Sequence, residues 1–175
     1  RVHEGPTEEK KDVLRNYLKA MGVGMSISDD PDPGEFQAIA KAVKDRPDAQ
    51  QIHTMLLRSM SQAIYTPVNG GHFGLAYEAY THFTSPIRRY PDLLVHRVIK
   101  AILNKQKYTL PLLPTPGEAH AKLAKRLAAR VKAPTNKPAK ATVAPSKEVM
   151  AWEAAGLHCS ANERRADEAS RDVEA

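Results

Sequence analysis

Residues 84–92 read Thr84-Ser85-Pro86-Ile87-Arg88-Arg89-Tyr90-Pro91-Asp92. Proline is favoured at the first position of a helix because its missing N–H is not needed there, and an acidic residue in the first turn complements the helix dipole. The pair Pro91-Asp92 therefore predicts the start of a helix. Its buried face is predicted from the apolar residues that follow at helical spacing: Leu94, Val95, Val98, Ile99, Ile102 and Leu103.

The loop before this helix concentrates hydrogen-bond donors. It holds two adjacent arginines and three hydroxyl groups, contributed by Thr84, Ser85, Arg88, Arg89 and Tyr90. Donors ahead of a helix N-terminus suit a phosphate group, and the planar guanidinium of arginine can donate to two phosphate oxygens at once. The alternative is that the arginines form ion pairs with acids such as Asp92 or Glu78. The residues alone leave both interpretations open.

Three helices are predicted upstream, each from apolar residues that recur every three or four positions. The first follows Thr7, which can cap it, and ends at Gly22. The second begins near Pro33. The third carries an apolar stripe of about four turns from Ile52 to Ile64.

Between the third helix and the arginine loop the pattern changes. Residues 72–77 and 81–84 are short, aromatic and β-prone, and they predict one or two strands or extended segments. Downstream, residues 117–132 predict a basic amphipathic helix, and Ser146 can cap a last long helix. The predicted fold class is therefore α+β and predominantly helical, with one or two short strands.

Composition excludes two classes of protein. Of the 175 residues, 42% are hydrophobic, which is enough to bury a core. One cysteine, Cys159, cannot form a disulfide within the chain, and no apolar run approaches the roughly 20 residues that span a bilayer. A small disulfide-stapled secreted scaffold and a membrane protein are both excluded. The sequence begins at Arg1 rather than Met, and we expect it to be part of a longer polypeptide.

Basic charge is concentrated in the middle of the sequence. Residues 1–103 hold 13 basic and 12 acidic residues. Residues 104–147 hold 10 basic residues and one acidic residue, and residues 148–175 hold three basic and seven acidic residues. The middle stretch also contains six of the 13 prolines, and its run from Pro134 to Pro145 has no hydrophobic period, so it is predicted to be a flexible insertion. Such a stretch either attracts a polyanion through counterion release or is simply solvated, and both interpretations stay open.

Several motifs together resemble one known family. They are Gly71-His72-Phe73-Gly74-Leu75-Ala76, residues 80–93 and His96-Arg97, with Arg46-Pro47-Asp48-Ala49, residues 55–60 and residues 63–65 upstream and His158-Cys159-Ser160 and residues 163–169 downstream. This set resembles the signature of the RNase II/RNase R exoribonuclease family, which shares the RNB domain. It is most similar to the bacterial RNase R branch. Residues 104–147 do not take part in the resemblance.

The resemblance implies a domain organisation and an activity. Residues 1–103 would be the C-terminal part of an RNB catalytic domain, residues 104–147 an insertion of this protein's own, and residues 148–175 the final helix of the domain. The implied enzyme is a processive, magnesium-dependent hydrolase in the cytoplasm. It degrades single-stranded RNA from the 3′ end and releases nucleoside 5′-monophosphates.

The resemblance also assigns candidate site residues. In the family, the arginine of the Ser-Pro-Ile-Arg motif contacts the scissile region, and Arg88 matches it. The further candidates for binding RNA or phosphate are Thr84, Ser85, Arg89, Tyr90, His96 and Arg97. For His96 and Arg97 a solvated helix face is the alternative.

The family's metal-binding aspartates belong upstream of Arg1, so we expect no metal ligands and no bound Mg²⁺ in this chain. The isolated chain is accordingly predicted to be inactive. Its partners would be the 3′ end of single-stranded RNA and the rest of the polypeptide, including the upstream half of the catalytic domain and RNA-binding domains. The rival interpretation is a non-catalytic RNA-binding or assembly module.

Other chemical signals have plainer explanations. The acids at 29–32, together with Glu35, could bind a metal, but acidic capping of the second helix explains them better. The adjacent pair His158-Cys159 lacks the further closely spaced ligands of a zinc site, and we expect Cys159 to be a packing residue. Four aromatic residues could stack on bases or belong to a core: Phe73, Tyr77, Tyr80 and Phe83.

Overall fold

The computed structural model describes residues 1–110 and 147–174. This part of the chain contains five α-helices, which are α1 (Glu8–Ala20), α2 (Pro33–Ala42), α3 (Ala49–Ser59), α4 (Tyr90–Leu103) and α5 (Lys147–Glu174), and a 3₁₀ turn at Phe73–Leu75. The chain divides into two compact units. The first consists of Arg1–Ala63 and Gly70–Tyr80, and the second of Ile64–Asn69 and Thr81–Ala175.

In the first unit, α1, α2 and α3 enclose an aliphatic core. Its buried members come from the predicted apolar positions of the three helices and from one connecting loop: Leu14, Leu18, Ile27, Phe36, Ile39, Val43, Ile52 and Leu56. Fully burying one such side chain contributes about 1.5–3 kcal/mol. Phe73, from the 3₁₀ turn, packs edge-on against Phe36 with 5.4 Å between ring centroids.

The helix starts follow local chemistry, with one difference from the prediction. Asp32 caps α2, because its carboxylate accepts the Glu35 N–H at 3.0 Å while the Glu35 side chain accepts the Asp32 N–H at 3.3 Å. This reciprocal pair confirms the capping interpretation for Asp32 and Glu35, whereas Asp29 pairs with Arg15. Thr7 stands at the N-cap position of α1, but its side chain makes no capping hydrogen bond.

The third helix is shorter than predicted. It ends at Ser59, and Met60 is already extended at φ −66° and ψ 151°. The main chain beyond it is bound by the N-terminal segment instead: Lys10 donates to the Met60 carbonyl, and the Ser61 hydroxyl donates to the Gly5 carbonyl at 2.8 Å. The apolar stripe therefore continues past the point where long-range hydrogen bonds end the helix.

The predominantly helical part of the predicted fold class is confirmed, and the β component is not. Residues 72–77 do not form a strand, because the chain turns back through the 3₁₀ turn and Ala76, whose φ is 55°. The described residues there contain isolated bridges, one between His3 and His72 and one between His72 and Tyr77. Residues 81–84 are not assigned to a strand either.

The second unit is built around contacts between α5 and the segment 64–69. The Ser160 hydroxyl accepts the Tyr65 N–H at 2.8 Å and donates to the Gly156 carbonyl at 2.8 Å. Ser160 is 1% exposed and Ala155 and Ala161 are also buried, so small residues on α5 allow the segment to approach closely.

The predicted buried face of α4 is only partly correct. Leu94 is buried, but in the part of the chain that the structure describes Ile99 is 40%, Ile102 67% and Leu103 75% exposed. The apolar pattern of the sequence runs along the whole helix, whereas tight packing is confined to its first turns.

Several predictions fall on residues outside the described ranges. The basic helix at 117–132, the cap at Ser146 and most of the insertion at 104–147 belong to this group. The last long helix is confirmed by α5. Among the described residues, no helix is both long enough and apolar enough to cross a membrane.

Candidate functional site

The loop before α4 is a tight hydrogen-bonded turn. The Ser85 carbonyl accepts the Arg88 N–H at 3.2 Å and the Arg89 N–H at 3.0 Å. The Arg89 carbonyl then accepts the N–H groups of Asp92 at 3.1 Å and Leu93 at 3.3 Å, which begins the helix. Pro91 fits this position because it needs no hydrogen-bond acceptor for its nitrogen.

Asp92 holds the turn from inside the second unit. Its side chain is fully buried, and Oδ2 accepts the Ser85 N–H at 2.8 Å together with Nε and Nη2 of Arg89 at 3.2 and 2.8 Å. Burial raises the pKa of this carboxyl, but the Ser85 N–H, the Arg89 guanidinium and the nearby His82 outweigh it, so the pKa of Asp92 is lowered. Asp92 is therefore an ionised acid at neutral pH.

The two adjacent arginines have different surroundings, which separates the two interpretations that the sequence left open. Arg89 forms the ion pair with Asp92, and its side chain is 22% exposed. Arg88 is exposed, and among the described residues its guanidinium makes no hydrogen bond and no ion pair. Ile87, beside it, is 98% exposed. The turn thus exposes Arg88 to solvent, whereas Arg89 stabilises the turn through its ion pair with Asp92.

The remaining candidates lie on the same turn and on the first half of α4. Thr84 is exposed, and Ser85 and Tyr90 are half-buried. The main-chain N–H of Ser85 is already engaged by Asp92. Arg97 is exposed on α4. The structure therefore leaves Arg88 on the turn and Thr84 just before it accessible, while Ser85 and Arg89 support the turn.

His96 is half-buried on α4 rather than fully solvated. Its Nε2 donates to the Phe83 carbonyl at 2.9 Å, and its ring lies parallel to the Phe83 ring with 4.3 Å between centroids and 6° between planes. Phe83 is 44% exposed, so the pair offers an accessible aromatic surface next to Thr84 in the chain. A second contact within the same unit, between the Tyr65 hydroxyl and His82 Nδ1 at 2.9 Å, is partly buried.

The four aromatic candidates divide between core and surface. Phe73 packs into the core of the first unit, as described for the 3₁₀ turn. In the same unit Tyr77 is 57% exposed and stacks on Tyr80, with 6.1 Å between ring centroids and 25° between planes. Phe83 stacks on His96 in the second unit. The core interpretation is correct for Phe73 and does not describe Tyr77.

The described residues provide no metal centre. No three His, Cys, Asp or Glu side chains in residues 1–110 and 147–174 converge closely enough to hold a metal ion. Glu35 accepts the Ser28 N–H and hydroxyl, each at 2.7 Å, and these bonds lower the pKa of its carboxyl.

Cys159 is buried. Its burial and, to a smaller extent, the charge of the nearby Glu163 raise the pKa of its thiol to about 11, so Cys159 is a packing residue as predicted.

Sequence reasoning named Asp92 as the acid of the first helical turn and as an alternative partner for the arginines, but not as the residue that holds the turn. The Arg89–Asp92 spacing of three residues across a helix start was the available signal for this pair. The hydrogen bonds of Tyr65 with Ser160 and His82 were missed. Ser160 is 95 residues from Tyr65 along the chain, and no local sequence pattern predicts a contact over that separation.

Comparisons with known proteins agree on one family. The RNB domain model matches residues 1–105. Ribonuclease R of Escherichia coli strain K12 is 40% identical over 173 residues, which are 99% of this chain and 18% of that protein. Ribonuclease R of Vibrio cholerae is 51% identical over 107 residues, 61% of this chain and 13% of that protein.

Solved structures give the same result. Mycoplasma genitalium RNase R in complex with ribose-methylated single-stranded RNA is similar with a TM-score of 0.55 and 31% identity, over 59% of this chain and 16% of that chain. The same enzyme in complex with double-stranded RNA also gives a TM-score of 0.55 and 31% identity, over 59% of this chain and 19% of that chain. The chain thus spans less than a fifth of the length of each of these relatives.

Proposed function

The chain belongs to the RNB domain family, and on this premise we propose that it is part of a processive 3′→5′ exoribonuclease that hydrolyses single-stranded RNA to nucleoside 5′-monophosphates. The curated relatives are ribonucleases R, and the similar solved structures of that enzyme contain RNA. We further propose a cytoplasmic setting. The rest of the same polypeptide would supply the upstream half of the catalytic domain and the RNA-binding domains.

The observation that carries this proposal is the contrast between Arg88 and Arg89. Phosphoryl transfer builds negative charge on the phosphate oxygens, and a cation held in position stabilises that charge. Arg88 is accessible and has no partner among the described residues, whereas the charge of Arg89 is already neutralised by Asp92. Arg88 is therefore the group assigned to the phosphate next to the reacting bond.

The other candidate residues are assigned to binding RNA rather than to chemistry. Thr84 and Tyr90 flank the Ser85–Arg89 turn and can donate hydroxyl hydrogen bonds to phosphate oxygens. Arg97 is exposed on α4, one residue beyond His96, and adds positive charge along the path of the bound RNA strand. The exposed ring of Phe83, stacked on His96, suits a ribose or a base.

The Mg²⁺ that the family resemblance implies does not fit the residues described here. In such hydrolases a metal ion activates water as the nucleophile. No suitable set of ligands converges in residues 1–110 and 147–174. Asp32 and Glu35 are engaged in capping α2, Glu35 also bonds to Ser28, and Asp29 pairs with Arg15. We therefore assign the metal ligands to another part of the full-length polypeptide.

The same observation favours a second candidate function for the isolated chain. Phosphate-binding groups without metal ligands describe an RNA-binding or assembly module that hydrolyses nothing. The two candidates differ in what happens to the rate of bond cleavage when Arg88 is changed in the full-length protein.

The test compares Arg88→Ala, Arg88→Lys and Arg89→Ala in the full-length protein. Single-turnover cleavage of 5′-labelled single-stranded RNA gives the chemical rate, and titration without metal gives Kd. We expect Arg88→Ala to lower the rate by roughly 10²–10³-fold, as for other groups that stabilise transition-state charge. Arg88→Lys should restore the rate only in part, because lysine keeps the charge and loses the two-pronged geometry.

The adjacent arginine is the matched control. Arg89→Ala should lower the rate less than Arg88→Ala, since Arg89 reaches the reaction only through the turn. Kd should change much less than the rate for each variant, because many contacts share the affinity. A loss confined to Kd, with the chemical rate intact, would assign Arg88 to binding and favour the second candidate function.

A further inference from the structure

The buried carboxylate of Asp92 joins the two ends of the arginine turn. Through Oδ2 it accepts the main-chain N–H of Ser85 at the start of the turn and the side chain of Arg89 at its end. The Ser85 carbonyl in turn accepts the N–H of Arg88, and the Arg89 carbonyl accepts the N–H of Asp92. These bonds form a closed set around the main chain of Arg88.

We propose that Asp92 is a positioning residue for Arg88: its carboxylate locks the Ser85–Arg89 turn and so places the Arg88 guanidinium for reaction. The inference rests on the proposed function of Arg88 and deepens it. Asp92 is 0% exposed and acts through the turn rather than on RNA itself.

The closed set restricts the main chain of Arg88 while leaving its side chain accessible. A catalytic group must be held to within about 1 Å, because a misplacement of that size can cost about 10²-fold in rate. Neither Arg88 nor Ile87 is packed against the protein, since both are exposed. The position of the Arg88 main chain therefore depends on the hydrogen bonds of the turn, and most of these end on Ser85 or Asp92.

The charge of Asp92 has a second effect on the site. It neutralises Arg89, so the neighbouring guanidinium does not compete with Arg88 for the same phosphate. The ion pair is partly buried, and such a pair is screened much less by salt than a fully exposed one. The lowered pKa of the Asp92 carboxyl is consistent with this role, because it keeps the acceptor charged at neutral pH.

A purely structural role for Asp92 is the competing explanation, since a buried ionised group also stabilises the second unit. A double-mutant cycle separates the two. If Asp92 acts through Arg88, changing it should cost catalysis only while Arg88 is present. If it only stabilises the fold, the loss should be the same with and without Arg88.

The experiment uses the full-length protein with Asp92→Asn, which keeps the shape and removes the charge, alone and combined with Arg88→Ala. We expect Asp92→Asn alone to lower the single-turnover rate on single-stranded RNA by about 10–100-fold with Kd changed less than the rate. In the Arg88→Ala background it should lower the rate by less than about twofold. Equal losses in the two backgrounds, or no loss in either, would overturn the inference.

A second variant covers the case in which Asp92→Asn does not fold. Arg89→Lys keeps the charge that neutralises Asp92 but cannot place two N–H groups on Oδ2. It should lower the rate, and that loss should also vanish in the Arg88→Ala background. Loss of the same size with and without Arg88 would again overturn the inference.

The matched control is Asp12→Asn. Asp12 and Arg15 form another ion pair at three-residue spacing, but the Asp12 side chain is 69% exposed and lies on α1. We expect no change in rate. If Arg88→Ala itself leaves the rate unchanged, the proposed function of Arg88 fails and the positioning inference falls with it, whereas a large Arg88 effect with additive Asp92 effects refutes the positioning role alone.

Discussion

At the scale of single residues, burial decides what a titratable group can do. Arg88 and Arg89 have the same side chain, but only Arg89 lies against a buried acid, and only Arg88 remains accessible. Cys159 shows the same effect for a thiol. Its burial raises its pKa to about 11, which removes it from the nucleophiles and metal ligands at neutral pH.

The thiol gives a prediction about reactivity. At pH 8 a thiol with a raised pKa is almost entirely protonated, and the thiolate is the species that reacts. We expect iodoacetamide to alkylate Cys159 at least roughly a hundredfold more slowly than a cysteine introduced by Ala166→Cys, at an exposed position of the same helix. Peptide mass spectrometry at timed intervals measures both rates in one sample.

Two results would bear on this prediction. In urea, Cys159 should react as fast as the introduced cysteine, because unfolding restores its ordinary pKa. Equal rates without urea would contradict the buried environment of Cys159.

At the scale of secondary-structure elements, the start of α2 follows a local signal and the end of α3 follows distant partners. The α2 start matches the capping pattern of Asp32 and Glu35. The end of α3 at Ser59 instead depends on Lys10 and on the N-terminal segment, which take over the hydrogen bonds of the main chain beyond it. Small residues inside α5 make room for a distant segment, whose Tyr65 N–H bonds to Ser160.

Gly156 in α5 is a position where Gly→Ala is expected to lower the free energy of unfolding rather than raise it. In an open helix Gly→Ala would stabilise by about 1 kcal/mol. Here an added Cβ would lie 2.5 Å from the Tyr65 carbonyl oxygen and 3.0 Å from its carbon, and both are main-chain atoms. We therefore expect Gly156→Ala to lower the free energy of unfolding by about 1–3 kcal/mol, measured by urea denaturation followed by circular dichroism.

Gly24→Ala is the control for this substitution. Nothing lies within 4 Å of the Cβ that it would add, so its free energy of unfolding should stay within about 1 kcal/mol of wild type. A stabilised Gly156→Ala variant would mean that Tyr65 and α5 are not in close contact.

At the scale of the whole molecule, the chain is a small part of the proteins it resembles. It matches 18% of Escherichia coli ribonuclease R, and its described residues lack a metal-binding cluster. Its net charge of +6 suits a polyanionic partner. The flexible basic insertion at 104–147 stays a prediction, because only residues 104–110 and 147 of it are described.

The prediction at this scale concerns the isolated chain. We expect residues 1–175 with Mg²⁺ to release no nucleoside 5′-monophosphates from labelled single-stranded RNA, because phosphate-binding groups alone do not generate a nucleophile. Thin-layer chromatography of the products measures this, with the full-length protein as the positive control. Steady release by the chain, abolished by Arg88→Ala, would show that the metal ligands lie within these residues.

The sequence by itself determined the features that depend on neighbours along the chain. Proline and acid at 91–92 start a helix, an acid two residues before Gly34 caps another, and the Ser-Pro-Ile-Arg motif identifies the family. These signals act over one helical turn, where spacing alone fixes which groups meet. Helix starts and the position of the candidate turn were therefore predictable.

Only the tertiary structure decided which groups are buried and which distant groups they meet. It separated Arg88 from Arg89 by burying Asp92, ended α3 five residues before Ile64, and left Ile102 exposed on a helix face that reads as apolar. The physical reason is that desolvation and hydrogen-bond partners depend on atoms far away in the sequence. A local pattern contains the side chains of a site, but not the surroundings that set their charge and their freedom to bind.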